Sequence, residues 1–216
     1  MSKEFDYSKE PKRSRLYDFL RPLGKFICRC VYKVEYVGVE NIPTDKGFIL
    51  ASNHIHALDP LIISMGIKNT QMHFMSKKEL WSNGFAAFFL SLFNAFPVPR
   101  GSASASAFKY AVKILKNGFC LGIFPEGTRS KDGQIGKAKR GVADIAFNTS
   151  SGILPVSVCN SDNLKKHTRY TVRFGEYIPY ENLGFSEEGT REEKMACAEK
   201  VMAEITALWE EGHCSK

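Results

Sequence analysis

The chain predicts an α/β fold. Two apolar runs of strand length, residues 48–52 and 119–124, each end in a turn dense with ionisable and turn-forming residues. The first run is soon followed by Asp59-Pro60, an N-cap acid with a proline in the first turn, which is a helix-opening signal. Strand, short loop and helix in succession is the grammar of α/β domains. With 216 residues, 44% hydrophobic and 25% charged, the chain is long enough for one domain with a substantial core.

Residues 1–13 are polar and highly charged and read as a loose tail. Residues 14–34 read as a basic amphipathic helical element. Leu16, Phe19, Leu20, Leu23, Phe26, Ile27, Cys30, Val31 and Val34 recur at threes and fours, while Arg21, Lys25, Arg29 and Lys33 recur at fours on the opposite side. Pro22 interrupts this pattern and implies one bent helix or two short ones. Such an element suits an interfacial anchor, where each Lys or Arg near an anionic leaflet contributes roughly 1 kcal/mol. A solvated helix packed on the domain is the competing reading, and the apolar face can divide between core and lipid.

Residues 35–216 read as a single domain. A short strand at 36–39 leads through a Pro-Gly turn to a buried strand at 48–52, then to the helix opened by Asp59, with Leu61, Ile62 and Met65 behind it. Residues 72–75 form another strand ending at Ser76-Lys77-Lys78-Glu79. The apolar stretch 85–96 is too short to cross a bilayer and reads as a core helix or as a wall for an acyl chain. A helix follows at 106–116 with Ala107, Tyr110, Ala111, Ile114 and Leu115 inward, then the buried strand 119–124. A helix at 141–148, strands at 152–158 and 170–174, and an amphipathic helix at 190–209 complete the order.

Thirty Lys and Arg against 23 Asp and Glu leave a net charge of +7, and residues 1–33 hold nine of the cations against four acids. An anionic partner follows, whether nucleic acid, membrane surface or phosphorylated substrate. The six cysteines show no CxxC pairing and no segment reads as a secretion signal, so reduced thiols in a cytosolic compartment are expected. No run of about 18 uncharged apolar residues suggests a spanning helix, which leaves attachment to a membrane face as the peripheral option.

The chemistry concentrates in two blocks, Asn53-His54-Ile55-His56-Ala57-Leu58-Asp59-Pro60 and Phe124-Pro125-Glu126-Gly127-Thr128-Arg129-Ser130. His54 and Asp59 lie five apart across a strand-to-helix turn, so the carboxylate can fold back and orient the imidazole as a general base for an alcohol. The second block is a tight turn with one acid, one hydroxyl and one guanidinium, and Arg129 suits bidentate grip of a phosphate. Arg100 beside Gly101 is a second phosphate candidate and Lys77 a weaker one. Backbone N–H groups around Gly127 are candidate oxyanion donors. These residues together suggest acyl transfer onto a hydroxyl of a phosphate-bearing lipid, by direct attack, since no GxSxG nucleophile elbow occurs. Two other readings stay open: a metal-dependent hydrolase using His54, His56 and Asp59, with both rings on one side of an extended strand, and a non-catalytic binder of anionic lipid.

At these residues the chain resembles the 1-acylglycerol-3-phosphate acyltransferase family. The resemblance spans about residues 34–180 and rests on the His-x4-Asp and Phe-Pro-Glu-Gly-Thr-Arg-Ser blocks in order, with the Arg100 site and the Leu154-Pro155-Val156 strand as further points of likeness. It implies a mixed, mostly parallel sheet flanked by helices, a basic face, and an N-terminal helical element on the cytoplasmic face of a membrane. It also implies His54 as base, Asp59 as its orienting partner, Arg100 and Arg129 as phosphate ligands, Glu126 and Gly127 shaping the acceptor site beside Thr128, and Lys77 adding phosphate contact. The implied reaction moves a fatty acyl group from acyl-carrier protein or coenzyme A to the sn-2 hydroxyl of 1-acylglycerol-3-phosphate, giving phosphatidate. It needs no metal or bound cofactor and no nucleic acid partner.

Overall fold

The computed structural model describes residues 5–98, 105–130, 132–160 and 169–213. β1 (Val34–Val37), β2 (Phe48–Ser52), β3 (Met72–Lys77), β4 (Ala95–Val98), β5 (Cys120–Ile123), β6 (Ile153–Cys159) and β7 (Tyr170–Phe174) form one sheet in the order β1-β7-β6-β2-β5-β3-β4. Every neighbouring pair is parallel except β6 and β7. The sheet is thus mixed and mostly parallel. β2 and β6 are buried at every position, as expected for strands covered on both faces.

The helices are α1 (Arg15–Tyr32), α2 (Asp59–Gly66), α3 (Gly84–Leu92), α4 (Ala105–Lys116), α5 (Gly141–Thr149) and α6 (Arg191–His213). One face of the sheet carries Ile49, Ala51 and Leu121 into a core with α4, α5 and α6, including Ile114, Ala146 and Val201. The other face carries Phe48, Leu50 and Met72 into a core with Ile62 and Ile63 of α2 and Tyr17 and Cys28 of α1. Each face buries its strand side chains beneath a helical layer, and that burial is the main stabilising term. α6 opens on a capping box, in which Glu193 accepts from the Thr190 N–H at 2.9 Å and Thr190 Oγ1 accepts from the Glu193 N–H at 3.2 Å.

Three expectations change. Residues 5–13 are packed rather than loose. Phe5 meets Trp81 at 5.5 Å and Tyr110 at 5.3 Å between ring centroids, and the Tyr7 hydroxyl donates to the Pro97 carbonyl at 2.5 Å. The two aromatics sink into the domain while the charged neighbours stay outside, with Glu10 paired to Lys113 at 3.0 Å.

α1 runs unbroken through Pro22, and its inward side is the polar one. Tyr17 donates to the Ser64 carbonyl at 3.1 Å, Arg21 to the Ile67 carbonyl at 3.2 Å, and Gly24 closes on the Met65 sulfur. Leu16, Phe19, Leu23, Phe26 and Ile27 face outward. The hydrophobic period located the stripe, but the carbonyls ending α2 recruited the opposite side, because buried acceptors need donors.

The apolar stretch 85–96 divides. Asn94 adopts a left-handed conformation (φ 57°) that ends the helix and starts β4. α3 itself has no buried residue, so it is not a core helix.

Candidate active site

The parallel strands β2 and β5 end on the same edge of the sheet, and both chemical blocks leave from there. The β2 block is fixed first by Asn53, which is fully buried. Its amide donates to the Val158 carbonyl at 2.9 Å and its oxygen accepts from the Val158 N–H at 2.8 Å, which ties the end of β2 to β6. His54 follows, its ring stacked on Phe124 at 4.1 Å between centroids.

Asp59 begins α2 and points back into this turn. Its Oδ2 lies 2.9 Å from His54 Nδ1 and accepts from the N–H groups of Ile55 at 2.8 Å and His56 at 2.7 Å. Its Oδ1 accepts from the Tyr170 hydroxyl at 2.6 Å, and the residue has no solvent exposure. A carboxylate buried this completely persists only because every oxygen is satisfied. Since a carboxylate accepts only, the proton between the pair sits on Nδ1 and leaves Nε2 as the basic nitrogen. His54 is partly exposed, so that nitrogen is within reach of solvent and substrate.

The β5 block locks onto the first. Glu126 is buried and uses both oxygens on backbone: Oε1 accepts from the His54 N–H at 2.9 Å and Oε2 from the Gly136 N–H at 3.0 Å. The His54 carbonyl in turn accepts from the Ser130 N–H at 2.7 Å. Glu126 therefore braces the histidine and the following loop. Gly127 stands at φ +71°, a left-handed conformation that favours glycine. Its N–H donates to the Phe124 carbonyl at 2.9 Å to close the turn, so that group is not available as an oxyanion donor.

Glu126 also lines a cleft of about 310 Å³, together with Thr128, Arg129, Asp132, Gln134 and Lys137 among others. Arg129 and Thr128 are exposed at its rim, where an anionic group can reach them. A larger cleft of about 510 Å³ opens on the opposite edge, at the starts of β2, β5 and β6, and holds none of the residues named in either block.

Lys77 ends β3 on the same edge as His54, with Nζ 3.7 Å from Glu79 Oε1 in an exposed pair. Arg100 lies outside the described residues. His56 is in a bend rather than on a strand, and its Nδ1 accepts from the Leu58 N–H at 3.2 Å, so the two histidines do not form the extended pair that a shared metal would need. Among the described residues no three His, Cys, Asp or Glu side chains converge as metal ligands.

Sequence reasoning missed Tyr170, which lies 111 positions from Asp59, and the two lysines at 137 and 139. The lysines carried a readable signal, since they follow the second block at loop spacing. Tyr170 carried none beyond its place at the start of a predicted strand.

The acyltransferase family model matches residues 33–159, more than half of the chain and inclusive of both blocks. The chain belongs to the 1-acyl-sn-glycerol-3-phosphate acyltransferase family. The 1-acyl-sn-glycerol-3-phosphate acyltransferase of Bacillus subtilis is 31% identical over 196 residues, covering 89% of this chain and 96% of its own. The Streptococcus pneumoniae enzyme of the same name is 30% identical over 202 residues, covering 90% and 74%. The crystal structure of the acyltransferase PlsC from Thermotoga maritima superposes with a TM-score of 0.67 at 28% identity, covering 89% of this chain and 80% of that one. Within this acyltransferase, the His54–Asp59 pair and the cleft edged by Arg129 stand on one edge of the sheet.

Proposed function

We propose that the protein moves a fatty acyl group from a thioester of acyl-carrier protein or coenzyme A to the sn-2 hydroxyl of 1-acylglycerol-3-phosphate, releasing phosphatidate and free thiol. His54 Nε2 takes the hydroxyl proton as the oxygen attacks the thioester carbonyl, and the tetrahedral intermediate then collapses and expels the thiolate. The imidazolium returns its proton to that sulfur, so the histidine ends the cycle as it began. Asp59 holds the ring in the required tautomer and stabilises its transient positive charge. Arg129, with Lys137 beside it, supplies the cationic grip for the acceptor phosphate, and Arg100 and Lys77 are the further candidates for that role.

The observation that carries this reading is the 2.9 Å contact between His54 Nδ1 and a fully buried, fully hydrogen-bonded Asp59. A buried acid aimed at a partly exposed imidazole is poised for proton transfer.

The same reading places the enzyme at an anionic membrane surface, where both lipids reside. No helix among the described residues is long and apolar enough to cross a membrane. The outward apolar side of α1, flanked by Arg29 and Lys33, supports interfacial attachment.

The test is transfer from labelled acyl-carrier protein and coenzyme A thioesters to a panel of lysolipids. His54→Ala is expected to lower turnover by at least about a thousandfold while the thermal transition stays in place. Full activity in that variant would sink the base role. Sensitivity to a chelator would indicate metal chemistry, and lipid binding without any transfer would indicate a binding protein.

A further inference from the structure

The acyltransferase reading does not account for α3. Gly84–Leu92 carries no charged residue, and Phe85 and Phe88 are 81% and 66% exposed, with Phe89 also outward. Solvation of three phenylalanines on a nine-residue helix is unfavourable, and a surface of that composition marks an occupant. We infer that α3 is a second bilayer-inserting element, which seats its phenylalanines among lipid acyl chains beside the active-site edge. This inference rests on the membrane location proposed above.

The topology sets α3 beside α1. β3 ends on the edge where His54 stands, so α3, which follows it, starts there and returns to the far edge to feed β4. β1 is antiparallel to β2 through β7 and β6, so α1, which leads into β1, ends at the active-site edge. Its beginning is at the far edge, where Gln71 and Ser14 exchange hydrogen bonds and Tyr17 meets Phe93 at 6.2 Å. The two helices therefore lie on the same face of the sheet, and their inner sides meet where the buried Tyr17 packs against Phe93.

Charge follows the same plan. The outer part of α1 and its end carry Arg15, Arg29 and Lys33, whereas the sole acid of the helix, Asp18, is engaged by Arg13 and Gln71. Apolar side chains bordered by unopposed cations match an anionic leaflet, with headgroups at the cations and chains at the rings. A protein partner would present its own polar rim to the apolar helix, and α3 offers nothing to pair with it.

Attraction through the cations of α1 is screened by salt, whereas insertion of the apolar sides of α1 and α3 is not, so removing the α3 rings lowers the part of the binding that survives salt. The test uses the full chain with vesicles of equal parts phosphatidylcholine and phosphatidylglycerol. Phe85→Ser with Phe88→Ser is expected to lower partition roughly tenfold at high salt, with the thermal transition unchanged because both rings are outside the core. Independently, the emission that Phe88→Trp adds, with the parent spectrum subtracted, is expected to shift to the blue and to be quenched by brominated acyl chains.

Absence of quenching while the protein still sediments with vesicles would overturn the proposal. So would unchanged partition of the double serine variant accompanied by loss of a concentration-dependent dimer, which would assign α3 to contact with a second copy. Transfer to a water-soluble short-chain acceptor is measured alongside. Loss of that transfer in the unmodified protein is a failure of the catalytic reading, whereas its retention with unquenched tryptophan is a failure of the membrane element alone.

Discussion

In the proposed mechanism, a tyrosine that touches neither reactant helps to hold the base. Tyr170 donates at 2.6 Å to the oxygen of Asp59 that His54 does not use, within a site closed to water. Hydrogen bonds to a buried charge are stronger than neutral ones, so Tyr170→Phe is expected to lower kcat by roughly tenfold to a hundredfold. KM for the acceptor should change little, since the proposed phosphate grip at Arg129 makes no contact with Tyr170 or Asp59. A purely structural role would lower the melting temperature and kcat together, so thermal melting of the same variant separates the two.

The candidate site residues were legible where they are local. His54 and Asp59 sit within six positions, so one turn builds their contact, and Gly127 was legible as a turn glycine. What escaped was long-range. Nothing in the Tyr170 neighbourhood announces Asp59, because only the antiparallel return of β7 brings its first residue to the edge where β2 ends. Glu126 lines the cleft, and both of its oxygens are bound to backbone N–H groups that a sequence does not reveal.

At the scale of elements, β3 holds a pH-dependent weakness. His73 is buried against Phe119 with Nε2 unpartnered, and burial pushes its imidazole down from 6.5 to about 4. The unfolded chain takes up this proton more readily, so stability is full above about pH 6.5 and declines as pH falls toward 4. The loss amounts to roughly 3 kcal/mol once both states are protonated. His73→Leu should flatten the decline between those limits, which denaturant midpoints measured across the range would read directly. An unchanged slope would place the acid sensitivity elsewhere.

Helix and strand types followed from periodicity, and α4 buries the side chains its spacing marked inward. α1 shows where that logic stops. A hydrophobic stripe specifies an apolar partner, and in an isolated domain that partner is assumed to be the core. Here the core side is chosen by Tyr17 and Arg21, whose polar ends reach the Ser64 and Ile67 carbonyls.

Taken whole, the molecule is closed by its N-terminal residues. Phe5 and Tyr7 fill the space between Trp81, Phe96 and Tyr110, and so join the β4 edge to α4. Phe5→Ala is expected to cost roughly 1–3 kcal/mol, seen as a lower melting temperature with the catalytic constants at moderate temperature unchanged. An unaltered melt would mean that these residues rest on the surface without supporting it. Composition hid this contact, because charge dominates the segment and the aromatics within it are few.

Three N–H groups and a phenol converge on the two oxygens at position 59. An amide there would turn its own hydrogens against theirs, and one more methylene would drive the head into the phenol. The buried half of the proposed site is therefore frozen against even its nearest chemical neighbours. If the proposed acceptor grip holds, drift toward new lipid headgroups has its room on the open rim instead, so an engineer seeking a different acceptor would begin at Thr128, Arg129 and Lys137 and leave the buried acid alone.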